Sequence, residues 1–407
     1  MATPTLNVTA ADGVLKVRYP EMKVKYLGYE GHPLLSLLPK DESFFGKRID
    51  VPIHYGIPQG RARVFATAQG NKNASKFEAF ELTRAKDYGL ASIELEALKA
   101  SMNDSGAFLR LATTEIDGII KSVGDNLAMS LYRNQGGARG RLATPSGQGT
   151  TVLQLLNIED VVNFEVGMVI TSDNTDGTAG GADDANGTEI VGIDRGAGTL
   201  TAAANWAATF GDGDYLFAEG DFGVSIAGLD AWLPASAPGA TAFFGVDRSV
   251  DVTRLGGLRK DVSSYSIEEG LQVAETFAAR EGAKLSHFFM NHQDFGDLRT
   301  GLGSKVIYDM VRSPDMPQIG FKGIVLAGSG GDVKVVADRY CPKGVAYGLQ
   351  LDTWKWYSLG PAPQILSGLG LEFMWEATAD AIEIRAGYYG NLGCTAPGNN
   401  IRVTLPS

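Results

Sequence analysis

The sequence predicts an α+β fold. Three observations point there. One helical stretch of about thirty residues has a single apolar face, a block of short strands sits between glycine- and aspartate-rich turns, and the C-terminal third mixes helices with strands.

The helical stretch covers residues 103–137. Apolar residues recur at Phe108, Ala112, Ile116, Ile119, Val123, Leu127 and Leu131, the three-and-four spacing of one helix face. Asn103 or Asp104 supplies an N-cap oxygen, and Gly136 and Gly137 supply a left-handed stop. At 1.5 Å per residue the run would reach roughly 45 Å. Gly118 and Gly124 each cost about 1 kcal/mol against Ala, so packing must hold the helix straight. It reads as a beam, flanked by parts too thin to fold alone.

Residues 1–55 read as an extended arm. LKVRYP, MKVKYLGY and HPLLSLLPK are short β-like or apolar pieces broken by Pro20, Gly28, Gly31, Pro33 and Pro39. Leu34, Leu35, Leu37 and Leu38 form an apolar knob with no helical or hairpin partner nearby, expected to anchor the arm across something else. Residues 56–90 predict a long hairpin. GRARVFATAQ alternates, with Arg61, Arg63 and Phe65 on one face and Ala62, Val64 and Ala66 on the other. GNKNAS is its turn, and SKFEAFELTRAKDYG is a return strand with a bulge near Phe77 and Phe80. An isolated ribbon is marginal in water, and this one is rich in cations, so it is expected to rest on a neighbouring molecule.

After the helix, TPSGQGT reads as a linker. Residues 146–222 then carry VLQLL, VGMVITS, TEIVGID, GTLTAAA and DYLFAEG between the turns DNTDG, GGADDANG, DRGAG and GDGD. Strands at this spacing predict a small β-barrel or sandwich, inserted into a host whose helical texture resumes later. In the host, Ser266 and Glu269 fit a capping box opening a helix with Ile267, Leu271, Ala274 and Phe277 inward and Gly282 closing it. LSHFFMN, GIVLAGS, VKVVAD, VAYGLQL and WKWYSLG read as core strands, HQDFGDLRTGLG as a short helix, and the C-terminus as a long strand with a shorter return.

The 407 residues exceed what a single core usually holds. Net charge is −11 but uneven. Residues 171–221 hold ten acidic residues against Arg195 alone, whereas residues 1–100 hold fourteen Lys and Arg against eleven Asp and Glu. That balance argues against a basic face for base-specific nucleic-acid readout. No apolar run of about eighteen residues is present to span a membrane, and MATPTLNVTA is not a signal peptide. Two cysteines, Cys341 and Cys394, lack metal-type spacing and read as reduced thiols.

Catalytic signatures are missing: the chain has no GxxxxGK[ST], HExxH, GxSxG or CxxC. GSGGD lacks a phosphate-loop lysine and reads as a turn. His32, His54, His287 and His292 are scattered, and no catalytic residue, cofactor or metal ligand is assigned. Glu268–Glu269 and Asp183–Asp184 read as helix N-terminal charge and loop solvation. DNTDG and DDANG space carboxylates as Ca²⁺ ligands would be, but the spaced Glu of a helix-loop-helix site does not follow, so solvated turns are expected.

In this order the parts resemble the major capsid proteins of tailed double-stranded DNA bacteriophages, which share the Hong Kong 97 coat fold. PLLSLLPK leads to GRARVFATAQGNKNASKFEAF, which looks like that family's extended loop, and DSGAFLRLATTEIDGIIKSVGDNLAMSLYRNQGG looks like its spine helix. FFGVDRSVD, FFMNHQDFGDLRTGLGSK, VKVVADRYCPKGVAYGLQLDTWKWYSLG and AIEIRAGYYGNLGCTAPG are similar to its axial and peripheral segments. Many relatives have Asn-Pro-Arg-Asp where this chain has Asn291, His292, Gln293 and Asp294.

The resemblance implies an arm at 1–55, an extended hairpin loop at 56–90 and a peripheral domain with the spine helix at 91–145. It further implies an inserted β domain at 146–222, an axial domain at 223–365 and peripheral return strands at 366–407. It implies a non-enzymatic shell protein, without cofactor, in a virion capsid assembled in the bacterial cytoplasm. Its partners would be copies of itself in hexamers and pentamers, portal and scaffolding proteins, a cement or decoration protein, and packaged DNA in non-specific proximity, with no membrane. Arg61, Arg63, Lys72, Lys76, Arg84 and Lys86 are expected to meet acidic surfaces of adjacent subunits. Lys72 and Lys76 could join an isopeptide bond as in some relatives, but non-covalent contact is expected. No long helical propeptide precedes the arm, and the acidic insertion is expected on the outer face, away from DNA. Two rivals are an encapsulin-like nanocompartment shell and, from another class, a calcium- or carbohydrate-binding β-rich enzyme.

Overall fold

The computed structural model describes residues 32–94, 96, 111–179, 187–302, 324–366, 374–375 and 380–406. LKVRYP, MKVKYLGY, the N-cap expected at Asn103 or Asp104, Phe108 and the four residues of DDANG before its glycine lie outside the described residues. Numbered along the chain, β1 (Lys40–Asp41), β2 (Arg48–Gly56), β3 (Lys76–Thr83) and β4 (Ala85–Glu94) precede the long helix Leu111–Ser130. After it come β5 (Gly140–Arg141), β6 (Val152–Gln154), β7 (Val169–Asp173), β8 (Thr188–Asp194), β9 (Thr199–Ala202) and β10 (Tyr215–Ala218). Next are β11 (Leu258–Asp261), β12 (His287–Met290), β13 (Ile324–Gly328), β14 (Gly331–Ala337) and β15 (Val345–Leu349). Last are β16 (Trp354–Ser358), β17 (Gln364–Ile365), β18 (Met374–Trp375), β19 (Ala381–Cys394) and β20 (Ile401–Thr404).

β19 organises the first sheet. β4 runs antiparallel along one side for ten residue pairs, while β16, β17 and β18 pair along the other and β1 adds to β16. The long helix lies across β4 because Gly89 leaves room there: a Cβ at that position would stand 2.8 Å from Ile119 and Val123. Beneath it Val123, Leu127, Leu131 and Tyr132 share one core with Trp354, Trp356, Tyr388 and Leu392. The second sheet has the order β11-β20-β15-β12-β14-β13. The helix Ile267–Arg280 packs on it as the capping pattern predicts: Ser266 Oγ accepts from Glu269 N, Leu271 and Ala274 are buried, and Gly282 takes φ +90°. The turn GSGGD is held by Glu275, whose carboxylate accepts from Gly330 N at 2.8 Å and from Ser329 Oγ at 3.1 Å.

The third sheet, β5-β10-β7-β8-β9-β6, contains the five strands expected between 146 and 222. Ala143 N donates to Gln154 O at 2.9 Å and Leu156 N to Arg141 O at 2.8 Å, which joins β5 to β6 and closes a barrel. Closure removes both edges and encloses a core of Leu153, Ile170, Ile190, Leu200, Trp206, Phe210 and Leu216. The barrel starts at Gly140 rather than 146, because the two residues of β5 are too few to carry an alternation.

Five expectations are corrected. The long helix stops at Ser130, ahead of Gly136 and Gly137. The last turn tightens through Tyr132 N to Met129 O and Arg133 N to Ser130 O, and the chain at Gly228 crosses the helix end so that Leu229 N donates to Leu131 O at 2.7 Å. The hairpin is made from β2 and β3, so its first strand lies in the segment assigned to the arm. Residues 65–70, expected as strand, form a short helix: Pro58 and Gly60 end the extension, and Ala66, Ala68 and Gln69 favour helix where no strand lies alongside. Leu34, Leu35 and Leu38 bury in this chain's own core through the helix Pro33–Leu37, while Leu37 is exposed. Finally, β16 joins the sheet of β19, and β20 lies between β11 and β15, so the expected boundary at 365 separates neither sheet. The chain passes between the sheets twice at one place, where Asn400 Oδ1 accepts from Gln350 N and Trp354 Nε1, both at 2.8 Å, and Thr395 N donates to Thr353 O.

Candidate assembly surfaces

The hairpin has a buried base and a bare tip. At the base Val51, Ile53, Phe80 and Leu82 are buried, with Phe80 edge-on to Trp232 at 4.9 Å. A neighbouring turn, Phe243 to Val246, clamps β3 by accepting from Glu81 N at the carbonyl of Phe244, a residue with φ +46°. Toward the tip His54 stacks on Phe77 at 4.6 Å, and Gly60 lets the chain pass close to Lys72, whose Cα would stand 3.1 Å from a Cβ there.

Between residues 56 and 77 the tip carries Arg61, Arg63, Lys72 and Lys76 and no acidic residue. All four are exposed, and none forms an ion pair among the described residues. Beside them Ile57, Val64, Phe65 and Phe77 are 59, 63, 79 and 66% exposed. Covering one such side chain is worth roughly 1.5–3 kcal/mol. A surface of this kind is complementary to an apolar face with carboxylates around it.

The other two expected contact residues have different settings. Arg84 is half-buried, donates to Phe44 O at 2.8 Å and stacks on the Phe44 ring, so it pins the flank of β1 within its own chain. Lys86 is exposed, but on β4, opposite Tyr389 in register. The six cations therefore do not form one patch.

A second surface has no signature in the sequence. A groove of about 920 Å³ runs between β4, the long helix and the barrel rim. Asp87, Glu115, Asp125, Glu165, Glu219 and Asp221 line it, with Lys121 and Arg139 as its cations, and Tyr88, Leu90 and Val166 add exposed apolar area. Arg139 bridges the parts, donating to Asn126 Oδ1 at 2.6 Å and pairing with Asp221 at 3.1 Å, while Asn126 donates to Asp87 at 2.7 Å.

Burial raises the Asp87 pKa from its ordinary value, against the opposing hydrogen bond from Asn126, and the Asp221 charge adds to the rise. The folded chain therefore holds this proton more tightly than the unfolded chain does. That contribution favours folding at low pH and is lost as pH rises through the raised value. Asp87→Asn is expected to be more stable than the parent at neutral pH, with the difference vanishing below about pH 3; urea unfolding at the two pH values checks it.

The other groups considered for chemistry are engaged locally. In DNTDG, Asp173 is buried and accepts from Thr175 N at 2.7 Å, and Asp176 accepts from Asn134 Nδ2 at 2.7 Å. These carboxylates hold a turn against the end of the long helix rather than standing solvated. His32 pairs with Asp125, His54 stacks on Phe77, and His287 contacts Ser286 Oγ, so the histidines share no site. Cys341 and Cys394 are buried, which pushes the Cys394 thiol up to about 12 and that of Cys341 well above its ordinary value.

No protein-family model matches the chain, and no curated protein matches it. Among solved structures, the capsid of cyanophage A-1(L) superposes with a TM-score of 0.55 at 13% identity, covering 98% of this chain and 99% of that one. The capsid of a native GTA particle gives 0.51 at 9% identity, covering 99% of each chain. This chain has a capsid fold. Both superpositions extend over nearly the whole length of the chain. The SrpI encapsulin of Synechococcus elongatus superposes more loosely, at 0.46 with 8% identity over 99% of this chain and 96% of that one.

Proposed function

We propose that the chain is the major capsid protein of a tailed bacteriophage, a non-enzymatic subunit that self-assembles into the icosahedral shell around double-stranded DNA. The observation that carries this reading is the hairpin tip: four cations and four large apolar side chains stand exposed on a capsid fold. Copies of the same subunit, in hexamers and pentamers, supply the acidic and apolar cover. One exposed ion pair is worth under about 1 kcal/mol, but a closed lattice repeats the contact many times.

In this reading the fold is of the Hong Kong 97 type. The long helix is the spine, the β2–β3 ribbon the extended loop, the sheet of β19 the peripheral part and the sheet of β12 the axial part. The barrel is an insertion between Gly137 and Gly223, supported by the bond from Gly223 N to Gly136 O at 2.9 Å that brings its two ends together. Its acidic strands and turns face outward, since like charge repels packaged phosphates. Portal and scaffolding proteins, a cement protein and non-specific contact with DNA complete the partners, in a capsid assembled in the bacterial cytoplasm.

Electron microscopy of the purified full chain tests the reading: closed shells are expected, and a monomer that stays single at high concentration overturns it. The ratio of absorbance at 260 and 280 nm in particles from producing cells separates a DNA-filled capsid from a protein-filled nanocompartment.

A further inference from the structure

The hairpin tip and the groove are both exposed on the same chain. Tyr88, Leu90 and Val166 of the groove are 51, 56 and 61% exposed, much as the apolar residues of the tip are. The tip therefore does not cover the groove of its own chain, and its ribbon forms a sheet separate from that of β4. The two surfaces are opposite in charge. Between residues 56 and 77 the tip carries four cations and no carboxylate, while six carboxylates line the groove against Lys121 and Arg139. A net +4 thus has a net −4 to meet.

We propose that β4, the long helix and the barrel rim together receive the hairpin tip of a second copy of this chain. The inserted barrel then forms one wall of an assembly contact, because Glu165 and Val166 precede β7 and Glu219 follows β10. All three of these barrel residues are exposed. The apolar side chains of the tip cover Tyr88, Leu90 and Val166, and its cations meet the carboxylates around them. Apolar cover supplies the attraction at contact, while the charges steer the approach and disfavour wrong partners. Burial also raises the Glu115 carboxyl above its ordinary value, so a cation arriving beside it relieves a cost the lone subunit carries. At about 920 Å³ the groove lies near the top of the range for ligand sites, roughly 300–1,000 Å³, which suits several side chains rather than one. The docking rests on the shell reading, since it needs a second copy, and it adds a role for the barrel that a shell alone does not require.

Crosslinking between full chains tests it. One chain carries Val64→Cys on the tip and another, tagged, carries Val166→Cys on the barrel rim, while native Cys341 and Cys394 stay buried. Mixed before assembly and treated with a short bismaleimide, they are expected to give a linked dimer of one tagged and one untagged chain. No such dimer would overturn the contact. So would a chain carrying both cysteines that links only within itself, which would put the tip on its own groove. Adding Glu165→Lys and Glu219→Lys to the rim chain is expected to cut linking at least about tenfold, and adding Arg63→Glu and Lys72→Glu to the tip chain to restore it. Linking unchanged by the rim substitutions would also overturn it. Micrographs of the same samples keep the two readings apart. Closed shells without the link remove this contact and leave the shell standing, whereas subunits that stay single remove both.

Discussion

Joining Gly56 to Lys76 through a two-residue turn, with residues 57–75 removed, is expected to reduce shells below detection while the subunit stays folded. The removed segment contains the exposed tip helix, three of the four tip cations and three of its four exposed apolar residues, and none of it belongs to the core. Shortening a loop changes its closure entropy by only about 0.6 kcal/mol per halving of length, so the subunit should melt within a few degrees of the parent. Assembly is different, because each lost contact recurs at every subunit of a lattice. Sedimentation velocity and electron microscopy give the two readouts, and intact shells from this variant would sink the strap role. The limits of the deletion matter. Extending it to residue 88 removes Phe80 and Leu82, both fully buried, and begins to strip β4 from β19. That larger deletion is expected to unfold the subunit and so tests nothing about docking.

Excising residues 138–222 and joining Gly137 to Gly223 is the second large test. The two ends already share a hydrogen bond, and the barrel has its own core, so both the host and the isolated barrel are expected to fold. The host should nevertheless lose stability where the barrel touches it, most at one ion pair. Arg133 is half-buried, its side chain 17% exposed, and pairs at 2.7 Å with Asp160, which leaves with the barrel. Stranding one member of a largely buried pair costs about 3–5 kcal/mol, so Arg133→Met in the excised host should recover most of the loss. Urea unfolding of the host, with and without that substitution, measures it. A host that stays unfolded in both forms would contradict the insertion.

Local chemistry was legible wherever neighbours in sequence determine the structure. The cap at Ser266, the apolar spacing of 267–280, the glycine at 282 and the five barrel strands after residue 150 all depend on contacts or turn chemistry within a few residues. The first hairpin strand also had its signal, since Ile49, Val51 and Ile53 alternate around Pro52. Pro52 hid it, because proline suits only a strand with an open edge, and a two-stranded ribbon has one. Among the described residues the long helix shows its expected apolar face at Ile119, Val123 and Leu127, and it ends before the expected glycines. Its stop is made by the chain at Gly228, about a hundred residues later, where a Cβ would stand 2.3 Å from Ser130 O.

The assembly surfaces divide in the same way. The tip cations could be picked out because residues 56–77 lack any acidic partner in the sequence itself. Arg84 could not be told apart from them, because its partner, Phe44, lies forty residues away. The groove was invisible: its carboxylates come from β4, the long helix and the barrel, and no run of sequence contains them together. By itself, then, the sequence determined the elements, their order and the charge of each part, since these follow from spacing, turns and composition. Which strands share a sheet, where the long helix stops and where an acidic groove opens were decided only by tertiary structure, because those outcomes depend on free energies between residues far apart in the chain.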